Sequence, residues 1–249
     1  MIAADQATIF PKQFFVATSS LANGVIRYPS LDPASPANLR KWCQEIDVPL
    51  AQTVGLYITY SDDRTYTDIA TVNATLDAQG AAIEKGWLAA DALVTTVPGI
   101  ALVLPVADCN AVVYVDPVNN VMALAHLGWH ATVRNLAVKV VHHMAKHYGT
   151  KPEDILIYNS PSIRVHSYRF AHLEQTPDTL WHTAPYATEQ SNGTYFIDLV
   201  KYNYDQWVSS GVDPKHIQIV DVDTATSDNY PSHFMGQNSR FIVFAQITQ

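Results

Sequence analysis

From residue 93 to residue 126 the chain passes through four short apolar runs, 93–97, 100–106, 111–116 and 121–126, separated by Pro98-Gly99, Asp108-Cys109 and the Pro117 to Asn120 segment. Runs of this length, rich in Val, Leu and Ala and closed by turn-forming residues, read as strands joined by tight connections. The first two runs read as a strand pair leading into the Asp108-Cys109 segment, and the other two as the next two strands.

The flanks add helices. Val133, Leu136, Ala137, Val140 and Met144 recur at helical spacing, so residues 132–148 predict one helix lying on a sheet, ended by Gly149. Residues 36–45 have helical character, with Leu39, Trp42 and Cys43 on one face, which makes Cys43 a core residue. Residues 13–17 read as a strand before a turn at Asn23-Gly24, residues 48–60 as β-rich, and 155–158, 217–222 and 240–247 as strands. Residues 196–208 read as a strand end merging into a helix that stops at Gly211. Hairpin-like strands beside crossover helices predict an α+β fold with mixed sheets rather than a doubly wound parallel sheet. The polar stretch 61–85 has no clear period and is a candidate lid.

Composition narrows the function classes. The 249 residues are 48% hydrophobic and carry a net charge of -8 with only 15 Lys and Arg, so no basic surface for nucleic acid is expected. Two cysteines make no disulfide framework, and a reducing, cytoplasmic setting is the simpler expectation. No apolar run reaches the length of a membrane span.

Two segments carry chemistry: Ala107-Asp108-Cys109-Asn110 and Ala125-His126-Leu127-Gly128-Trp129. A thiol and an imidazole at neighbouring strand ends are the ligand types that hold zinc or set up thiol catalysis. Each has a plain alternative: Cys109 as a small core hydrophobe, His126 as a hydrogen-bonded core histidine. Asp108 either orients a ligand imidazole or caps a turn. His130 is a substrate contact or an unemployed helix residue; Ser160 and Tyr168 line the pocket or pack. His143 and His147 sit one helical turn apart but lack a third ligand. Coupled copper centres need several imidazoles beside a thiolate, and the histidines here are scattered.

The segments Ala90-Asp91-Ala92-Leu93-Val94-Thr95, Val106-Ala107-Asp108-Cys109, Ala123-Leu124-Ala125-His126-Leu127-Gly128-Trp129 and Ser160-Pro161-Ser162-Ile163, with Tyr168 beyond, resemble the YfiH-type laccase-domain family in order and spacing. The resemblance implies one domain over residues 1–249, layered α/β/β/α. It also implies a zinc-dependent purine nucleoside phosphorylase with adenosine deaminase side activity, named polyphenol oxidase in older usage. A purine nucleoside and phosphate would be the substrates. Cys109 and His126 match two of the family's zinc ligands, with Asp108 beside them. The third, the His of Gln-x-His-Gly, aligns with Val54 of Gln52-Thr53-Val54-Gly55, and valine coordinates nothing.

Other positions depart too. The family's arginine after Gly-Trp is His130, that of its Thr-Thr-Arg segment aligns with Ser20, and its Cys-Cys pair is His166-Ser167. The arginines suit phosphate, which a guanidinium holds bidentately. His166 is a candidate replacement imidazole if its loop reaches the Cys109–His126 pair to within about 2.1 Å of a shared metal. With the site so altered, two further classes stand beside the phosphorylase: a thiol-dependent hydrolase with Cys109 as nucleophile and His126 as base, and a non-catalytic small-molecule-binding descendant.

Overall fold

Two β-sheets pack face to face, and a helix layer covers the outer side of each. The computed structural model describes residues 1–27, 33–61, 64–73, 87–173 and 185–248. In chain order the strands are β1 (Phe14–Thr18), β2 (Thr53–Tyr57), β3 (Ile69–Thr71), β4 (Trp87–Ala89), β5 (Ala92–Thr95), β6 (Ala101–Val106) and β7 (Asn110–Asp116). They continue with β8 (Val121–Leu127), β9 (Leu156–Asn159), β10 (Arg169–Phe170), β11 (Ala187–Glu189), β12 (Tyr195–Ile197), β13 (Ile217–Ile219) and β14 (Phe241–Ile247). The α-helices are α1 (Ser35–Glu45), α2 (Trp129–Thr132), α3 (Leu136–Tyr148) and α4 (Leu199–Ser209).

The first sheet has the order β1-β14-β6-β2-β4 and the second β13-β9-β7-β8-β5-β3, each mixing parallel and antiparallel pairs. Strand alternation then sorts the side chains. Leu102, Leu104, Val243 and Ala245 of the first sheet meet Val113, Met122 and Leu124 of the second in a buried inter-sheet layer. On the far side of the first sheet, Val103, Ile242 and Phe244 pack against Leu39, Trp42 and Cys43 of α1. On the far side of the second, Val112, Tyr114 and Ala123 pack against Leu136, Val140 and Met144 of α3 and Trp207 of α4. The indole of Trp207 donates to the Tyr114 hydroxyl at 2.8 Å, which keeps this large pair polar-satisfied in the core. The layers are therefore α/β/β/α, and Cys43 is the core residue its helical face predicts.

Three local expectations are corrected. The runs on either side of Pro98-Gly99 do not pair: β5 joins the second sheet and β6 the first. Gly99 takes a positive φ of 87° and its N–H donates to Ile247 O at 2.7 Å, so this turn carries the chain between sheets. The helix expected from residue 132 begins only at Leu136, because Asn135 is left-handed at φ 61° and separates α3 from the short α2 that ends at Thr132. The Asn135 side chain accepts from Gln206 Nε2 and Tyr202 OH at 3.0 and 3.3 Å; asparagine tolerates this conformation and α4 fixes it there. A third, small sheet, β10-β12-β11, was not expected from the strand pattern. Of the candidate lid, 62–63 and 74–85 lie outside the described residues.

Candidate functional site

Strand register brings the two motif residues together. Ala111 of β7 pairs with His126 of β8, and Ala111, Val113, Met122 and Leu124 all face the inter-sheet layer. His126 continues the face of Met122 and Leu124, and Cys109, two residues before Ala111, continues the face of β7. Both side chains therefore project at the same end of the layer. Gly128 records how closely they converge: a Cβ built there would lie 2.8 Å from His126 Cε1, 3.3 Å from its Nε2 and 3.0 Å from Cys109 Sγ. The φ of Gly128 is -79°, so its side chain is excluded by this close approach rather than by backbone conformation.

The pair forms part of the wall of a cavity of about 510 Å³. The strand end from Tyr57 to Tyr60, Arg27, Arg240 and His233 complete the polar wall. None of these four contributions follows from the motif pattern. Their signal is tertiary, since Arg27 and Arg240 are far apart in sequence yet joined by an Ile26 N–H to Arg240 O hydrogen bond of 3.3 Å.

Burial sets the protonation states. It pushes the Cys109 thiol up to about 12, reinforced by the Asp108 charge and opposed by Arg240. It pushes the His126 imidazole down to about 4, helped by the positive fields of Arg240, His130 and Arg64. Near pH 7 both groups are neutral. A thiolate–imidazolium couple requires the opposite shifts, a lowered thiol and a raised imidazole, so the thiol-hydrolase alternative has no electrostatic support here.

Asp108 does not orient His126. It is buried, with φ 73°. One carboxylate oxygen accepts from Thr224 Oγ1 and the other from the Phe234 N–H, both at 2.7 Å, while its carbonyl accepts from Ile163 N at 2.9 Å. Asp108 thus ties together three loops, one of which carries His233. Asp91, in the Ala90-Asp91-Ala92 segment, also has a positioning role. Its carboxylate holds Arg64 Nη2 at 2.8 Å, Arg64 Nη1 reaches Thr59 O at 2.6 Å, and the Asp91 carbonyl accepts from His126 N at 2.9 Å. This strap fixes the 57–60 strand end against the end of β8.

The remaining sequence candidates lie elsewhere. Val54 is 1% exposed in the inter-sheet core and pairs with Leu102, four residues before Val106, or about 13 Å along the strand from the cavity end. Continuing the β2–β6 register places Ile58 beside Val106, so the strand end near the thiol is 57–60 and not Val54. His166 lines a separate cavity with Ser167, Arg169 and Phe234 and does not supply the missing imidazole. Tyr168 packs edge-on against Phe170 and Phe234, with ring centroids 4.7 and 5.5 Å apart, in another apolar pocket. Ser160 is buried, accepting from Ala111 N at 3.2 Å and donating to Pro161 O at 3.1 Å. His130 stacks on Tyr66 at 4.5 Å and is not part of the cavity wall.

The donors present do not fit a catalytic zinc. Such a site takes three protein ligands and an open position, whereas one thiol and one imidazole converge on Gly128, and His233, the other imidazole of the cavity wall, is not grouped with them as a third ligand. The strand end that could supply the third offers Tyr57, Ile58, Thr59 and Tyr60, and two guanidiniums share the cavity. Among the described residues no group of three His, Cys, Asp or Glu is arranged to hold a metal ion.

The family model for multi-copper polyphenol oxidoreductase laccase matches residues 34–246. The chain belongs to this family. Among its relatives are a purine nucleoside phosphorylase of Bacteroides thetaiotaomicron, 28% identical over 54% of this chain and 51% of that protein, and the purine nucleoside phosphorylase YlmD of Geobacillus stearothermophilus, 31% identical over 52% and 48%. An adenosine deaminase, RL5, from an unknown prokaryotic organism is 38% identical over 35% of the chain and 32% of its own length. The chain thus matches about half or less of the length of these curated relatives. The fold matches the crystal structure of the Geobacillus YlmD with a TM-score of 0.76 at 22% identity, covering 98% of this chain and 94% of that one. Bacillus licheniformis YfiH gives 0.73 at 24%, covering 86% and 81%. The α+β, YfiH-like architecture expected from the resemblance is the observed one. Among the described residues no helix is long and apolar enough to cross a membrane.

Proposed function

We propose that this laccase-family chain binds a purine nucleoside in the Cys109–His126 cavity and cleaves its N-glycosidic bond by phosphorolysis. The observation that carries the reading is the convergence of Sγ and the imidazole edge on Gly128, beside a cavity of about 510 Å³, a volume within the usual range for a small-molecule site. The activity of the phosphorylase relatives supplies the reaction class.

In this reaction a phosphate oxygen of HPO4²⁻ attacks the anomeric carbon as the C–N bond breaks. The electron pair of that bond passes to the purine nitrogen, and the proton carried by the phosphate ends on the base. The products are the free base and the pentose 1-phosphate. This chain's contribution is positioning and field. The neutral His126 offers a hydrogen-bonding ring that adds no charge, the neutral Cys109 keeps a compact wall, and Arg27 and Arg240 supply positive potential. Tyr60, 66% exposed, gives an aromatic face at the cavity lip on which a flat base can stack.

The test is incubation of the purified protein with adenosine or inosine, with and without inorganic phosphate, followed by chromatography of bases and pentose phosphates. Base release that depends on phosphate is expected. Conversion of adenosine to inosine with ammonia release and no dependence on phosphate would overturn phosphorolysis in favour of deamination, and absence of any turnover would favour a binding role.

A further inference from the structure

We infer that Arg27 and Arg240 form an oxyanion clamp that seats phosphate above Cys109 and His126 without a metal ion. Identifying the anion as the co-substrate phosphate rests on the phosphorolysis reading; the clamp itself rests on the cavity.

Both arginines line the same cavity, and no Asp or Glu lines it with them among the described residues. The nearby Asp108 carboxylate is turned away, each of its oxygens held by a loop donor. The two arginines are held as neighbours by main-chain structure. The Ile26 N–H donates to Arg240 O at 3.3 Å, and the Arg27 carbonyl accepts from the buried Ser35 Oγ at 2.7 Å. Arg240 immediately precedes β14, and its Nη1 donates to Ser239 O at 2.7 Å, which orients the planar fork.

Holding two cations together in a half-buried wall is unfavourable in the absence of an anion. Burial first, and then the field of Arg27, act to discharge Arg240, and the smaller opposing fields of Cys109, Tyr60 and Asp108 do not cancel them. An oxyanion between the forks relieves that repulsion and takes bidentate hydrogen bonds from each, a geometry that guanidinium supplies and ammonium does not. The positions where the family resemblance implies arginines are Ser20, buried at the turn after β1, and His130, stacked on Tyr66. Positive charge in this chain instead enters the cavity from the segment after Ile26 and from the residue before β14. Because no three donors in the cavity, His233 included, are grouped to hold a metal among the described residues, guanidinium charge takes the place that a cation would hold next to the anion.

The test is calorimetric titration of inorganic phosphate into the whole protein in the presence of EDTA, repeated on Arg27→Gln, Arg240→Gln and Arg240→Lys. Phosphate is expected to bind under chelation, about tenfold or more weaker in each glutamine variant, with Arg240→Lys recovering part of the loss and showing that the variant folds. Affinity unchanged by both glutamine substitutions would overturn the clamp, as would affinity abolished by EDTA and restored by zinc. The two readings fail separately. Phosphate binding without base release removes the phosphorylase and keeps the clamp, whereas base release with an unchanged KM for phosphate in both glutamine variants removes the clamp and keeps the phosphorylase.

Discussion

The middle and the end of the inter-sheet layer lie on the same strand faces and have opposite character. At the level of Val54 and Leu102 the layer is dry, with Leu93, Val113 and Leu124 among its fully buried members. A few residues along the same strands, beyond Val106 and Leu124, it opens into a cavity walled by a thiol, two histidines and two arginines. Alternation assigns a side chain to a face; distance along the strand decides whether that face is hydrocarbon or solvent-filled. A ligand motif displaced by four residues along the strand, about 13 Å, lands in the wrong medium.

Putting histidine at position 54 tests this contrast with the largest expected effect. Val54→His forces an imidazole into the dry layer, losing apolar packing and burying a polar ring, which should cost roughly 3–5 kcal/mol in denaturant unfolding and confer no zinc affinity. Near-native stability with tight zinc binding would mean that the two regions are not distinct.

A pH experiment probes the wet end. The His126 pKa is depressed from 6.5 to about 4 in the folded chain, so between those values the unfolded chain binds the extra proton. The stability associated with the neutral ring is complete above pH 6.5 and is lost as pH falls toward about 4, by up to roughly 3 kcal/mol. His126→Gln should lack this part of the slope; identical pH profiles for the two proteins would remove the shift.

Gly128→Ala comes next. Its Cβ would press on both His126 and Cys109 Sγ, an overpacking expected to lower stability by about 1–3 kcal/mol and to reduce nucleoside turnover. A melt and activity matching wild type would show that the pair is farther apart in solution. The smallest effect belongs to Tyr60→His. At 66% exposure it should shift unfolding by no more than about 0.5 kcal/mol, so a large loss would place Tyr60 in the core rather than at the lip.

Much of the fold was legible because it follows local periods. The continuous apolar runs 100–106, 111–116 and 121–126, bounded by turn residues, gave β6, β7 and β8 nearly to the residue, and the helical spacing of Leu136 to Met144 gave α3. What misled was connection. Pro98-Gly99 looks like a hairpin turn and is a crossing between sheets, since nothing local states which neighbour a strand will choose. Asn135 breaks a helix whose apolar period runs straight through it, because the stabilising donors come from Tyr202 and Gln206 on α4. In the site, Cys109 and His126 were legible through their motifs. Ser160, His166 and Tyr168 were not separable from them in sequence, because nothing local states that Ser160 is buried against Ala111 while His166 and Tyr168 line other cavities.

The amino-acid sequence by itself determined the apolar strand runs, the helix period, and the placing of a thiol and an imidazole at two adjoining strand ends. Only the tertiary structure decided that Val54 is core, that Asp108 staples loops rather than tuning His126, and that Arg27 and Arg240 share the cavity. The physical reason is that periodicity is encoded within a segment, whereas depth in a layer and the meeting of charges from residues 27 and 240 exist only once two sheets have closed on each other.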